Sequence, residues 1–207
     1  MTSTHSNMPF SQACENNKKP ILAVIQPLFE NTKQILEVGS GTGQHGLYFA
    51  QNMPHLTWQC SDRPMNLPGI NMRLASTEKN VEQPNNTPTP IALDLFEDQW
   101  PKLNIDAIFS ANAVHIMPWA GVEILFKAAG YALAAQGQLV LYGPFNYEGQ
   151  YSSASNARFD QWLKSQHPES AIRDFEAINQ LALNAGMSLR GDYEMPANNR
   201  VLHWVKD

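Results

Sequence analysis

The chain has 207 residues, 43% of them hydrophobic and 16% charged, which suits one α/β domain with a full core. A formal net charge of −5 speaks against the basic surface that nonspecific nucleic-acid binding requires. Cys14 and Cys60 are too few for a disulfide framework, and no apolar run has the length of a membrane span or the form of a secretory signal, so a cytoplasmic protein is expected.

Met1 to Asn17 is polar and rich in Ser, Asn and Thr, and reads as a disordered start. Pro20 fits the first turn of a helix whose apolar face is Ile21, Leu22, Val24, Ile25, Leu28 and Phe29, and Pro27 should bend or end it. Gln34 to Val38 is the first strand. It runs into Gly39-Ser40-Gly41-Thr42-Gly43-Gln44-His45-Gly46, with a helix predicted from Gln44 to Asn52. A strand, a glycine-rich turn and a helix open a nucleotide-binding α/β unit. The glycines allow a tight turn and close ligand approach, and the helix N-terminus offers free N–H groups.

Two registers overlap here. Gly41 to Gly46 reads G-x-G-x-x-G, the dinucleotide pattern. Glu37 to Gly43 reads E-x-G-x-G-x-G and resembles the motif of class I S-adenosylmethionine-dependent methyltransferases. The second register puts its first glycine at the strand end, where the turn needs one. That resemblance implies that Glu37 lies near the methionine part of the cofactor and that Gly39, Gly41 and Gly43 pass beneath it.

Leu56 to Asp62 is the second strand, and Asp62 lies 23 positions beyond Gly39 (39 to 62). A nucleotide-binding βαβ unit places a ribose-binding acid about 20 residues on. A carboxylate suits vicinal hydroxyls because it only accepts and has two oxygens. Both registers predict this acid. Asn66 to Asn80 is a helical segment weakened by Pro68 and Gly69, and Gln83 to Pro90 is a connection. Ile91 to Leu93 is a short third strand. The methyltransferase resemblance implies that Asp94 meets the adenine amino group and that the Leu95 N–H meets the ring.

Ile105 to Ala111 is the fourth strand, leading into Asn112-Ala113-Val114-His115. This tip falls at the carboxyl end of the sheet, where open α/β sheets bind ligands, so Asn112 and His115 are expected near the reaction centre. The tip lacks the Asn/Asp-Pro-Pro-aromatic signature of many DNA adenine and glutamine methyltransferases. Trp119 to Ala135 is a helix stopped by Gly137, and Gln138 to Tyr142 is the fifth strand. A long loop, Gly143 to Asn156, leaves the same edge. Helices follow at Ala157–Ser165 and Asp174–Ala185, and then two closing strands, Met187–Tyr193 and Arg200–Val205. The expected fold class is α/β: a Rossmann-like, seven-stranded, mostly parallel sheet with helices on both faces and an antiparallel C-terminal hairpin. Two Rossmann halves would end in further βα units instead.

With these residues in place, nearly the whole chain resembles the methyltransferase-like family catalogued as domain of unknown function 938. The resemblance rests on Asn17-Lys18, Pro20-Ile21-Leu22, the Gly39–His45 turn, Asn112 with His115, and Gly143-Pro144-Phe145-Asn146. It continues through Gly149, Tyr151, Ser155-Asn156, Phe159-Asp160 and Ile172-Arg173-Asp174-Phe175-Glu176. Asn16 departs from an expected arginine. The family implies the class I fold and S-adenosylmethionine binding, and supplies no substrate.

The sequence thus reads as one domain, 1–207, that methylates a small-molecule acceptor with S-adenosylmethionine. Cofactor contacts are expected from Glu37, Gly39, Gly41, Gly43, Asp62, Asp94, Leu95 and Asn112, and His115 is the candidate base. Asn17 and Lys18, with Asn146, Tyr147, Tyr151, Asn156 and Asp160, are expected to line the acceptor pocket. The segments Asn16–Lys18 and Phe145–Asn156 would close over it, because methyl transfer needs a dry, aligned site. An NAD(P)-dependent oxidoreductase remains open through the first register, although no Tyr-x-x-x-Lys pair occurs. So does a non-catalytic binding protein with this fold. The histidines show no metal-ligand spacing, and no Gly-Lys-Ser/Thr follows the glycines.

Overall fold

The computed structural model describes residues 8–76, 86–97 and 100–207. The predicted segments 66–80 and 83–90 fall partly outside them. Seven strands form one sheet in the order β3-β2-β1-β4-β5-β9-β8. They are β1 (Gln34–Val38), β2 (Thr57–Asp62), β3 (Ile91–Ala92), β4 (Ala107–Ala111), β5 (Gln138–Gly143), β8 (Met187–Met195) and β9 (Asn199–Lys206). β1 to β5 pair in parallel, whereas β9 runs antiparallel to both β5 and β8. The expected topology is therefore the observed one. β1 and the helix α2 (Gln44–Asn52) have the predicted bounds.

Side chains alternate across each strand, so each strand feeds two cores. Leu36, Ile108, Leu139, Leu141 and Leu202 meet α4 (Trp119–Ala132) and α6 (Phe175–Asn184) on one face. Ile35, Trp58, Phe109 and Val140 meet α1 (Gln12–Leu28) and α2 on the other. There Phe49 of α2 lies 5.2 Å from Trp58 and 5.6 Å from Phe109, an aromatic knot that fixes α2 and hence the glycine turn at its start.

Three expectations change. The first is the disordered start, of which residues 1–7 lie outside the described residues and the rest is changed. α1 begins at Gln12, where the Ser11 side chain caps it by accepting from the Cys14 N–H (3.3 Å). Pro20 therefore lies inside the helix, and Pro27 stands next to its last residue. The polar composition of this turn reflects docking onto polar groups of the glycine turn. The second is the helix after β2, which is shorter than expected. α3 (Leu67–Ala75) carries Pro68 in its first turn, where a missing N–H costs nothing, and Gly69 leaves room for the Pro9 ring. The third concerns the long loop after β5. It contains β6 (Phe145–Asn146), which pairs in parallel with β7 (Arg173–Asp174). Between them α5 (Ala154–Gln166) starts earlier than expected, at the Ser153 cap. Its buried positions are Asn156, Asp160 and Leu163, so this helix docks mainly by hydrogen bonds.

Candidate active site

The glycine turn closes the carboxyl end of β1. Gly39, Gly41 and Gly43 have φ of 77°, 58° and 72°, conformations that L side chains strain to adopt. The Gly39 and Ser40 N–H groups both donate to the Ser61 carbonyl at 3.0 Å, which ties the turn to β2. A Cβ on Gly41 would meet nothing within 4 Å, so the turn borders open space there. Gly43 caps α2 without a side-chain hydrogen bond. At Gly46 a Cβ would collide with Cys60 and stand 2.7 Å from Glu37 Oε2, so this glycine lets α2 approach β1 and β2.

Glu37 is 1% exposed beneath the turn. Its Oε2 accepts from Ser40 Oγ (2.8 Å), Trp58 Nε1 (3.1 Å) and Cys60 Sγ (3.5 Å). No ion pair among the described residues involves it. Burial lifts its pKa above the usual carboxylate range, and the charge of Asp62 adds to the effect.

Asp62 ends β2. Its Oδ2 accepts from the Gly41 N–H (2.6 Å), and its Oδ1 accepts from the Arg63 N–H and Asn66 Nδ2, both at 2.7 Å. Three acceptor positions are thus used inside the chain, which leaves one on Oδ2 for a hydroxyl. The Leu93 N–H donates to the Asp62 carbonyl (2.9 Å), placing the end of β3 beside this carboxylate. Asp94 Oδ1 accepts from the Phe96 N–H (3.0 Å), and the Leu95 side chain packs on the core. Asn112 follows β4 with φ of 57°, its N–H donating to the Tyr142 carbonyl (2.8 Å). A Cβ on Gly39 would stand 3.2 Å from Ala113 Cβ, so this loop rests on the glycine turn. The ends of β1, β2, β3 and β4 therefore bring the expected cofactor residues to one edge of the sheet.

The first turns of α1 wall that edge. Gln44 accepts from the Ser11 N–H (2.6 Å) and donates to Glu15 (2.6 Å), while His45 Nε2 donates to Asn17 Oδ1 (2.7 Å). Lys18 pairs with Glu15 (2.5 Å) and lies 5.0 Å from the centre of the Tyr48 ring. Sequence reasoning missed Gln44 and His45 as anchors, although both stand in the motif itself.

His115 is 3% exposed, and burial lowers its pKa to about 4. It is neutral at pH 7. Its Nδ1 faces Gly143, 3.5 Å from where a Cβ would stand, and has no hydrogen-bond partner. The Phe159 ring packs edge-on against it at 5.4 Å. Asn146 Oδ1, three residues beyond Gly143, is likewise buried without a partner. The other expected acceptor contacts are engaged inside the chain. The Tyr147 hydroxyl donates to Asp192 (2.8 Å), and its ring stacks on Phe175. Asn156 Nδ2 donates to Ser152 Oγ (2.8 Å) and to the Asn198 carbonyl (3.2 Å). Asp160, 1% exposed, accepts from Tyr151 (2.8 Å), Lys164 (2.6 Å) and the Ile172 N–H (2.7 Å). Among the described residues no group of His, Cys, Asp or Glu could hold a metal, and no helix is long and apolar enough to cross a membrane.

The sheet order, the reversed last strand and the glycine turn define a class I methyltransferase fold. Solved structures with this fold include human N-acetylserotonin methyltransferase in complex with S-adenosylmethionine (TM-score 0.77, 14% identity, 94% of this chain and 53% of that one). They also include the mitomycin 7-O-methyltransferase MmcR (0.80, 15%, 94% and 54%). An O-methyltransferase family protein from Burkholderia thailandensis is a third (0.78, 14%, 94% and 57%). The chain spans little more than half the length of these proteins. A family model described as "Protein of unknown function (DUF938)" matches residues 8–206, and the chain belongs to that family.

Proposed function

We propose that this chain is an S-adenosylmethionine-dependent methyltransferase with a small-molecule acceptor. Glu37 carries the reading: a buried carboxylate without a cationic partner, set under a glycine turn that borders open space. A buried charge needs a partner, and the α-ammonium of the methionine moiety fits that need. Asp62 would take a ribose hydroxyl on its remaining lone pair. Asp94 and the Leu95 N–H would hold the adenine, and Asn112 the methionine end. When bound, the cofactor supplies an already activated methyl group. The chain's own task is then to align the acceptor and exclude water. The first turns of α1 wall the cofactor side. His115 is in its proton-accepting form at neutral pH and would take the proton that an acceptor hydroxyl releases as its oxygen is methylated. Asn146 Oδ1 would accept a hydrogen bond from the acceptor. The likeness to known methyltransferases supports the fold.

A dinucleotide reading draws on Gly46, which packs as the third glycine of G-x-G-x-x-G does. The antiparallel β9 speaks for the methyltransferase class instead. Thermal unfolding separates the two. S-adenosylhomocysteine should raise the melting temperature, by a stabilisation of about 2.7 kcal/mol at a hundredfold excess over Kd, and NADH and NADPH should not. A shift with a nicotinamide nucleotide and none with S-adenosylhomocysteine would sink the proposal.

A further inference from the structure

Four consecutive carbonyls around His115 are held by one short segment. Val114 O accepts from Arg173 Nε (3.1 Å), and His115 O accepts from the Ala171 N–H (3.0 Å). Ile116 O accepts from Ser170 Oγ (2.6 Å), and Met117 O accepts from Arg173 Nη2 (2.6 Å). Arg173 therefore bridges the carbonyls on either side of the histidine. Its guanidinium also reaches the Glu169 carbonyl (2.8 Å) and lies 5.8 Å from the centre of the Trp119 ring. None of the ion pairs among the described residues includes Arg173, so its hydrogen bonds go to this backbone. The segment is itself anchored, through Ile172 to Asp160 and through the β6–β7 pairing.

We infer that Arg173 is a positioning residue for His115. The inference rests on the methyltransferase reading for its purpose, but its geometry stands apart from it. An imidazole is usually oriented by a hydrogen bond to one of its nitrogens, as metal-bound histidines show. His115 Nδ1 has none. The ring direction is therefore set by where the backbone holds its Cα, and by Phe159. Water could satisfy the same carbonyls in a looser loop. A rigid fork that spans two of them fixes their separation, which a lysine, a single flexible point charge, does not. The ring lies beside Gly143, 3.5 Å from where a Cβ would stand, and holding its loop holds that approach.

The test uses the whole chain with 15N-labelled histidine, the His115 signals being assigned from their loss in H115Q. In the wild type His115 should give one set of neutral-imidazole signals with a titration midpoint near 4. Arg173→Lys keeps the charge and removes the fork. It should fold and bind S-adenosylhomocysteine within roughly twofold of wild type, because Glu37, Asp62 and Asp94 lie on other loops and Asn112, at the start of this one, is held by its own N–H bond to the Tyr142 carbonyl. Its His115 signals should shift or broaden, its midpoint should rise, and the Ile116 and Met117 amides should exchange about tenfold faster, as for a lost hydrogen bond. A folded Arg173→Lys with unchanged His115 signals would overturn the inference. So would exchange accelerated evenly through the core strands, which marks a purely structural role. Should the variant not fold, native-state exchange of the wild type decides. Ile116 and Met117 opening together with Ala171 and Ile172 supports the clamp, and independent opening overturns it. Wild-type protein that fails to bind S-adenosylhomocysteine would count against the methyltransferase reading, while the His115 signals still judge Arg173.

Discussion

Replacing Glu37 by Gln should stabilise the ligand-free protein and weaken ligand binding, two effects of opposite sign from one atom change. The variant keeps the shape, and its amide oxygen can still accept from Ser40 and Trp58, which lie 2.8 and 3.1 Å from Oε2. What it loses is the charge. Burial raises the Glu37 pKa, so the folded protein holds this proton where the unfolded chain, with the ordinary value of 4.5, has released it. The native-state advantage is complete below pH 4.5 and is lost as pH rises through the raised value. Above that value the wild type carries the cost of an unpaired buried charge, and the amide does not. Urea denaturation from pH 4.5 to pH 8 should therefore show the variant gaining on the wild type as pH rises. The ligand ammonium, in contrast, would lose a charged acceptor, typically 1.5–3 kcal/mol, so S-adenosylhomocysteine should bind roughly 10- to 150-fold more weakly in calorimetry. Unchanged affinity would show that Glu37 only packs α2 against the sheet. A stability difference that does not grow with pH would refute the buried-charge argument itself.

Two further outcomes follow from the site. Asp62→Ala should cost stability as well as affinity, because the carboxylate holds the Gly41 and Arg63 N–H groups and Asn66. A loss of about 1–3 kcal/mol in unfolding free energy is expected for the donors left unpaired, and melting identical to wild type would reject it. Acid should destabilise the chain as pH falls from 6.5 through 4. Burial holds His45, His115 and His203 at about 4, so the unfolded state binds protons that the native state refuses. Neither ring nitrogen of His203 has a partner, so His203→Leu should fold and should flatten this pH dependence by about one proton. An unchanged slope in a urea midpoint series would contradict that.

The sequence by itself determined the parts governed by short-range rules. The bounds of β1 and α2 were legible because an apolar run, glycines with positive φ and a helical face follow one another within 19 residues (34 to 52). The reversed β9 was legible because two closing strands joined by a Pro/Asn turn resemble the antiparallel terminal hairpin of class I methyltransferases. Glu37, Asp62, Asp94 and Asn112 were found together because parallel strands bring successive carboxyl ends to one edge. Only the tertiary structure decided the partners. α1 starts at Gln12, and its polar first turns are held by Gln44 and His45, some 30 positions away. The hydroxyl of Tyr147 belongs to Asp192, and that of Tyr151 to Asp160. Arg173 reaches the His115 loop across more than 50 positions, through the β6–β7 pairing that the loop's composition did not reveal. A polar side chain announces in the sequence that it needs a hydrogen-bond partner. Which partner it meets depends on where distant backbone segments come to lie, and local pattern carries no record of that.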